Sequence, residues 1–76
     1  MHVENLIKMA NQIGDFFASF PDRAEALDGV ATHIKKFWEP RMRRALLEHL
    51  DSAGYGEFNA TTADALREHR ARLQPE

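Results

Sequence analysis

Apolar residues recur at steps of three and four along the first two thirds of this chain, which is the spacing of one face of an α-helix. No stretch alternates apolar and polar residues for more than a few positions, and the β-branched residues are scattered. The pattern therefore predicts an all-α fold and argues against a sheet. The first apolar stripe, which Met9 and Phe16 widen, comprises Val3, Leu6, Ile7, Ala10, Ile13, Phe17 and Phe20.

Two prolines divide this helical pattern. Pro21 is expected to end the first helix just after Phe20, because proline has no backbone N–H to donate. Asp22 can then cap a second helix that runs to about Trp38. Pro40 suits the first turn of a third helix, which should end near residue 52.

The C-terminal third carries a weaker helical signal. Gly54 is available for the left-handed position after the third helix, within an expected loop over residues 53–60. Thr61 or Thr62 can cap a last helix over about residues 61–73. We expect this helix to be the most loosely attached, because its core positions are few: Ala63, Leu66, Leu73 and the aliphatic stem of Arg70.

The chain has 76 residues and no cysteine. We expect one domain over residues 1–76, a small bundle of three main helices with its core at about 3–53, plus a weaker C-terminal fourth helix. A domain of this size buries only about 60% of the surface that its unfolded chain exposes, so its stability should be marginal. Without disulfides or thiolate metal sites, regular helix packing and a partner remain as supports.

The longest uninterrupted apolar stretches are pairs and triplets, which excludes a membrane span. The first residues contain neither a basic leader nor an apolar signal core. A cytoplasmic location is therefore expected.

Residues that could bind metals or catalyse reactions are present without a recognisable arrangement. The glycines of Gly54-Tyr55-Gly56 precede no lysine and so form no phosphate loop. We predict no catalytic residue, no cofactor-binding residue and no metal site. No two histidines have the spacing of an HExxH motif or lie four residues apart on one helix face, as a zinc site would prefer. The four histidines are His2, His33, His49 and His69.

Charge is distributed unevenly along the chain. Residues 1–34 carry five acidic side chains against two Lys or Arg, whereas residues 35–44, the basic segment, carry five Lys or Arg against Glu39 alone. Such a segment can bind nucleic acid or form one side of a protein interface. Within it, we expect Phe37 in the core and Arg41 and Arg43 at a partner, since interfaces are enriched in arginine.

Two separated motifs resemble the delta subunit of NAD-dependent, molybdenum-containing formate dehydrogenase, the FdsD family. One motif is Lys8-Met9-Ala10-Asn11-Gln12-Ile13 followed by Phe16-Phe17, and the other is His33-Ile34-x-x-Phe37-Trp38-x-Pro40-Arg41-Met42-Arg43. The resemblance covers about residues 5–50, and no motif of the family is recognisable after Leu50. It implies larger partner subunits that carry molybdenum, iron-sulfur clusters, flavin and the NAD site, and a delta subunit that carries no cofactor.

The resemblance also implies an accessory role in assembly, stability or cofactor maturation of the catalytic subunit. By matching position, the expected partner-binding residues are Asn11, His33, Trp38, Arg41 and Arg43. An amide such as that of Asn11 is costly on an apolar helix face unless it finds a hydrogen-bond partner. For His33, a boundary or hydrogen-bonded core position is the alternative to a partner contact.

Two other functions remain open at this point. The chain could be a transient chaperone for molybdoenzyme maturation, which needs the same kind of exposed surface. It could also be a small nucleic-acid-binding module that uses the basic segment, although the isoelectric point of about 6.1 and the acidic first half count against this. The apolar first helix also permits homo-oligomers of the isolated chain.

Overall fold

A computed structural model describes residues 2–75, and within that range it contains helices and no strand. The all-α prediction is confirmed, with three long helices and a shorter fourth. A single extra turn follows the fourth helix. In chain order the helices are α1 (Val3–Phe17), α2 (Arg23–Phe37), α3 (Pro40–Ala53), α4 (Ala60–Glu68) and α5 (Arg70–Leu73).

Local signals set most helix boundaries as predicted. The Asp22 side chain accepts a hydrogen bond from the Glu25 backbone N–H at 3.3 Å and caps α2. Pro40 lies in the first turn of α3. Gly54 has the expected positive φ of 78°, but its ψ of −158° lies outside the left-handed helical region.

The first helix ends at Phe17, three residues earlier than predicted. The Ser19 hydroxyl donates to the Phe16 carbonyl at 2.9 Å, and the Phe20 N–H donates to the Phe17 carbonyl at 3.0 Å. These bonds satisfy the terminal carbonyls in a turn. Phe20 also precedes a proline, whose ring disfavours helical geometry at that position.

One hydrophobic core is shared by all five helices. Burial of these side chains removes apolar surface from water, which is the main favourable contribution to folding. The largest fully buried side chains are Leu6, Ile34, Leu46, Leu66, Leu73, Val30 and Thr62.

The expectation that the last helix is loosely attached is wrong. Leu66 and Leu73 have no exposed surface, and α4 packs against both α1 and α2. The cap was also misassigned, because Asn59 rather than Thr61 or Thr62 caps α4. Both threonines instead turn into the interior, where their methyl groups add apolar surface that a count of leucines misses.

A cluster of polar side chains, Asn11, Asp15 and Asn59, joins α1 to the start of α4. Asn11 Oδ1 accepts from the Asn59 N–H at 2.9 Å, and Asn11 Nδ2 donates to the Glu57 carbonyl at 3.1 Å. Asn59 Nδ2 donates to the Asn11 carbonyl at 3.0 Å and to Asp15 Oδ1 at 2.9 Å. Asn59 Oδ1 meanwhile accepts from the Thr62 N–H at 2.9 Å. The Asn11 amide is thus satisfied within the chain.

Replacement of Asn59 by alanine should lower the free energy of unfolding by about 2 kcal/mol, because it removes a helix cap and two inter-helix hydrogen bonds together. Urea denaturation followed by circular dichroism measures this loss. The matched control is Asn5→Ala, at an exposed α1 position whose side chain makes no hydrogen bond within residues 2–75. Equal stability of the two variants would contradict the role assigned to Asn59.

Candidate partner-binding groove

An apolar groove of about 450 Å³ opens on the surface between α1 and α2. It extends to the corner where α2 ends and the chain turns toward α3. Five of its seven lining side chains are apolar or aromatic. The lining residues are Met9, Gln12, Ile13, Phe16, Phe17, His33 and Trp38.

The groove exists because the apolar stripe of α1 is wider than the core can cover. Leu6, Ile7 and Ala10 are buried, whereas Met9 remains 38% exposed and Phe16 63% exposed on the adjacent face. Large apolar side chains that cluster on a surface mark a contact site more often than single exposed ones do. The widened stripe was visible in the sequence, but its separation into a covered and an uncovered half was not.

Aromatic packing holds the α1 side of the groove in shape. The Phe16 ring lies 4.9 Å from the Phe17 ring and 5.9 Å from the Phe20 ring, in edge-to-face arrangements. Gly29 on α2 makes room for this cluster, because a Cβ at that position would overlap the Phe17 ring. Gly29 is a contributor that sequence reasoning missed, and the signal for it is a glycine inside a helix.

On the α2 side, Phe37 is 65% exposed, so the expectation that it belongs to the core is wrong. Trp38 takes the core position instead, because it lies four residues after Ile34 and continues the buried face. The Phe37 ring packs on the His33 ring, with centroids 4.7 Å apart. Phe37 and His33 thus extend the aromatic surface of the groove onto α2.

Trp38 and Arg43 shape the corner between α2 and α3. Trp38 is 5% exposed and lines the groove. Arg43 is 6% exposed, and its Nη1 donates to the Lys35 carbonyl at 3.0 Å. A cation that bonds a terminal carbonyl stabilises the negative end of a helix dipole, so Arg43 supports the end of α2. Its Nε is buried without a hydrogen-bond partner within residues 2–75.

Comparison with protein families decides what kind of chain forms this groove. Residues 5–66 match the family described as "NADH-dependant formate dehydrogenase delta subunit FdsD". The chain belongs to the FdsD family. The match includes the whole groove and continues past Leu50 to Leu66, so it also covers most of α4. No curated protein and no solved structure matched the chain.

The five predicted partner-binding residues of this FdsD chain are not gathered at one place. His33 and Trp38 line the groove. Arg41 is exposed on α3, with Nη2 3.8 Å from Glu39 Oε1. Asn11 is hydrogen-bonded to the segment before α4, and Arg43 is turned inward under α2. The last two therefore have structural roles within the chain that the sequence did not reveal.

Within the part of this FdsD chain that the structure describes, no three His, Asp or Glu side chains come close enough together to hold a metal ion. In the same range, no helix is both long and apolar enough to cross a membrane. The family makes the chain a subunit of a formate dehydrogenase, and the groove is an apolar surface that its own fold leaves uncovered.

Proposed function

We propose that this delta subunit is non-catalytic and supports the assembly or stability of the molybdenum-bearing catalytic subunit of an NAD-dependent formate dehydrogenase through direct contact. The observation that carries the proposal is the apolar groove in a chain of the FdsD family. Contact with larger subunits that carry iron-sulfur clusters and flavin, and a cytoplasmic location, are parts of the same proposal.

The chemistry of the groove suits a protein partner. Aromatic side chains and methionine are enriched in protein interfaces because they supply a large contact area. Phe16 and Met9 supply such area on α1, and Phe37 supplies it on α2. Covering these side chains removes apolar surface from water and so favours association.

The predicted partner-binding residues then divide into two groups. His33 and Trp38 line the groove, and Arg41 is exposed on α3, so these three can touch a bound partner. Asn11 and Arg43 act indirectly, because they fix α1 and the end of α2 in the positions that shape the groove.

A transient maturation chaperone would use the same surface, and the stoichiometry of the mature enzyme distinguishes the two roles. One copy of the chain per catalytic subunit in the purified enzyme supports a permanent subunit. The nucleic-acid alternative has less support, because Arg43 of the basic segment bonds the α2 carbonyl and is not available to phosphates.

Replacement of Phe16 by serine should weaken binding to the catalytic subunit by roughly 30-fold, the effect of losing about 2 kcal/mol at an aromatic interface anchor. The measurement is co-purification of the co-expressed subunits, with molybdenum and iron assayed in the product. Glu48→Ser, at an exposed position of α3 away from the groove lining, is the matched control. Recovery of the catalytic subunit with both variants alike would exclude the groove as the contact surface.

A further inference from the structure

Ion pairs are distributed unevenly over the surface of this chain. Four arginines in α2, α4 and α5 are paired with carboxylates on neighbouring elements or one turn away. These pairs are Arg23–Asp64 at 2.7 Å, Arg67–Asp64 at 3.3 Å, Arg70–Asp51 at 2.9 Å and Arg72–Asp28 at 2.8 Å.

The exposed cations of the basic segment are different. Lys35, Lys36 and Arg44 form no ion pair within residues 2–75, and Arg41 has only its long contact with Glu39. Lys36 Nζ lies 5.6 Å from the centroid of the Phe37 ring. That ring packs on His33, which lines the groove. The α2 edge of the groove therefore carries a positive charge without a carboxylate partner.

The spacing of the groove residues fits a helix. Along α1, Met9, Gln12, Ile13 and Phe16 line the groove at positions i, i+3, i+4 and i+7. They form one stripe of about two turns, roughly 10 Å long at 1.5 Å per residue. A groove between two helices accepts a third helix, which presents its own stripe of the same spacing.

We infer that the groove binds an amphipathic helical segment of the catalytic subunit, whose apolar face covers Met9 and Phe16 and whose Asp or Glu side chains face Lys36. This inference rests on the proposed function and specifies the chemistry of the partner segment. A second copy of the chain fits less well, since a symmetric dimer uses the same patch on both copies and the groove lining within residues 2–75 contains no carboxylate that could face Lys36. The acidic segment instead supplies the charge that the edge lacks.

Photo-crosslinking in the assembled formate dehydrogenase tests the inference. Benzoylphenylalanine replaces Phe16 or, separately, Phe37, and mass spectrometry identifies the crosslinked residues. We expect both probes to reach one segment of the catalytic subunit with apolar residues three and four positions apart and with Asp or Glu among them. A probe at the exposed Ala71 of α5 is the control and should not reach that segment.

Charge reversal provides the second measurement. Lys36→Glu is expected to weaken association about fivefold at low salt, with the difference shrinking as salt rises, whereas Arg44→Glu on α3 should have a smaller effect. Crosslinks to a second copy of the chain, crosslinks to a segment without carboxylates, or equal effects of the two reversals would overturn the inference and leave the proposed function intact. Failure of the unmodified chain to co-purify with the catalytic subunit would overturn both.

Discussion

Replacement of Leu66 by alanine is expected to lower the free energy of unfolding by about 3 kcal/mol. Leu66 is fully buried on α4, in the core that α1 and α2 share with that helix. The substitution removes three carbon atoms from this core and leaves a cavity that neighbouring helices fill only in part. In a small domain, a loss of this size is a large fraction of the total stability.

Urea denaturation of Leu66→Ala and of a matched variant, Phe37→Ala, distinguishes the effect of side-chain burial on stability from the effect of side-chain size. Phenylalanine is the larger side chain, but Phe37 is 65% exposed, so its removal should change stability by no more than about 0.5 kcal/mol. The two variants would unfold at the same urea concentration if α4 were only loosely attached. Because Leu66 is buried, we expect Leu66→Ala to unfold at a much lower urea concentration than Phe37→Ala.

Replacement of Gly14 by alanine is expected to lower the free energy of unfolding by about 2 kcal/mol. This loss is expected even though alanine is more favourable than glycine within a helix by about 1 kcal/mol. A Cβ at this position would overlap the Thr62 hydroxyl and would lie 2.9 Å from Asn59 Oδ1. Thr62 cannot move away easily, because it is fully buried and its hydroxyl donates to the Ala10 carbonyl at 3.3 Å. The strain therefore falls on the contact between α1 and α4.

Thermal or urea unfolding of Gly14→Ala measures this cost, and Gly56→Ala is the control because a Cβ there meets no atom within 4 Å. The double variant Gly14→Ala/Thr62→Ala adds a test of mechanism. Removal of the hydroxyl should recover part of the loss, so that the double variant is more stable than the sum of the single effects predicts. Simple additivity would show that the two positions do not meet.

The sequence predicted the helices well because their signals are local. The Asp22 cap, Pro40 at the start of α3 and the apolar spacing of α1 each act within one or two turns. The resemblance to the delta subunits was likewise present in short motifs, and the family match confirms it.

Contacts between distant parts of the chain were harder to predict from the sequence. Asn11 was expected to need a polar partner, but nothing near it in sequence identified Asn59 as that partner. Phe37 and Trp38 are adjacent apolar residues at the end of α2, and the corner geometry decides that Trp38 is the buried one. The buried position of Thr62 also depends on Gly14 in another helix, because a Cβ at Gly14 would overlap the Thr62 hydroxyl.

The hydrogen bonds between α1 and the start of α4 have a consequence for biosynthesis. They join residues 44 to 52 positions apart in the chain, so α1 is synthesised before the residues to which it bonds. During that interval its stripe lacks the covering that α4 provides, and contacts of such high sequence separation form late. A protein that recognises the finished shape of this chain can therefore bind it only after α4 has been made and has packed against α1.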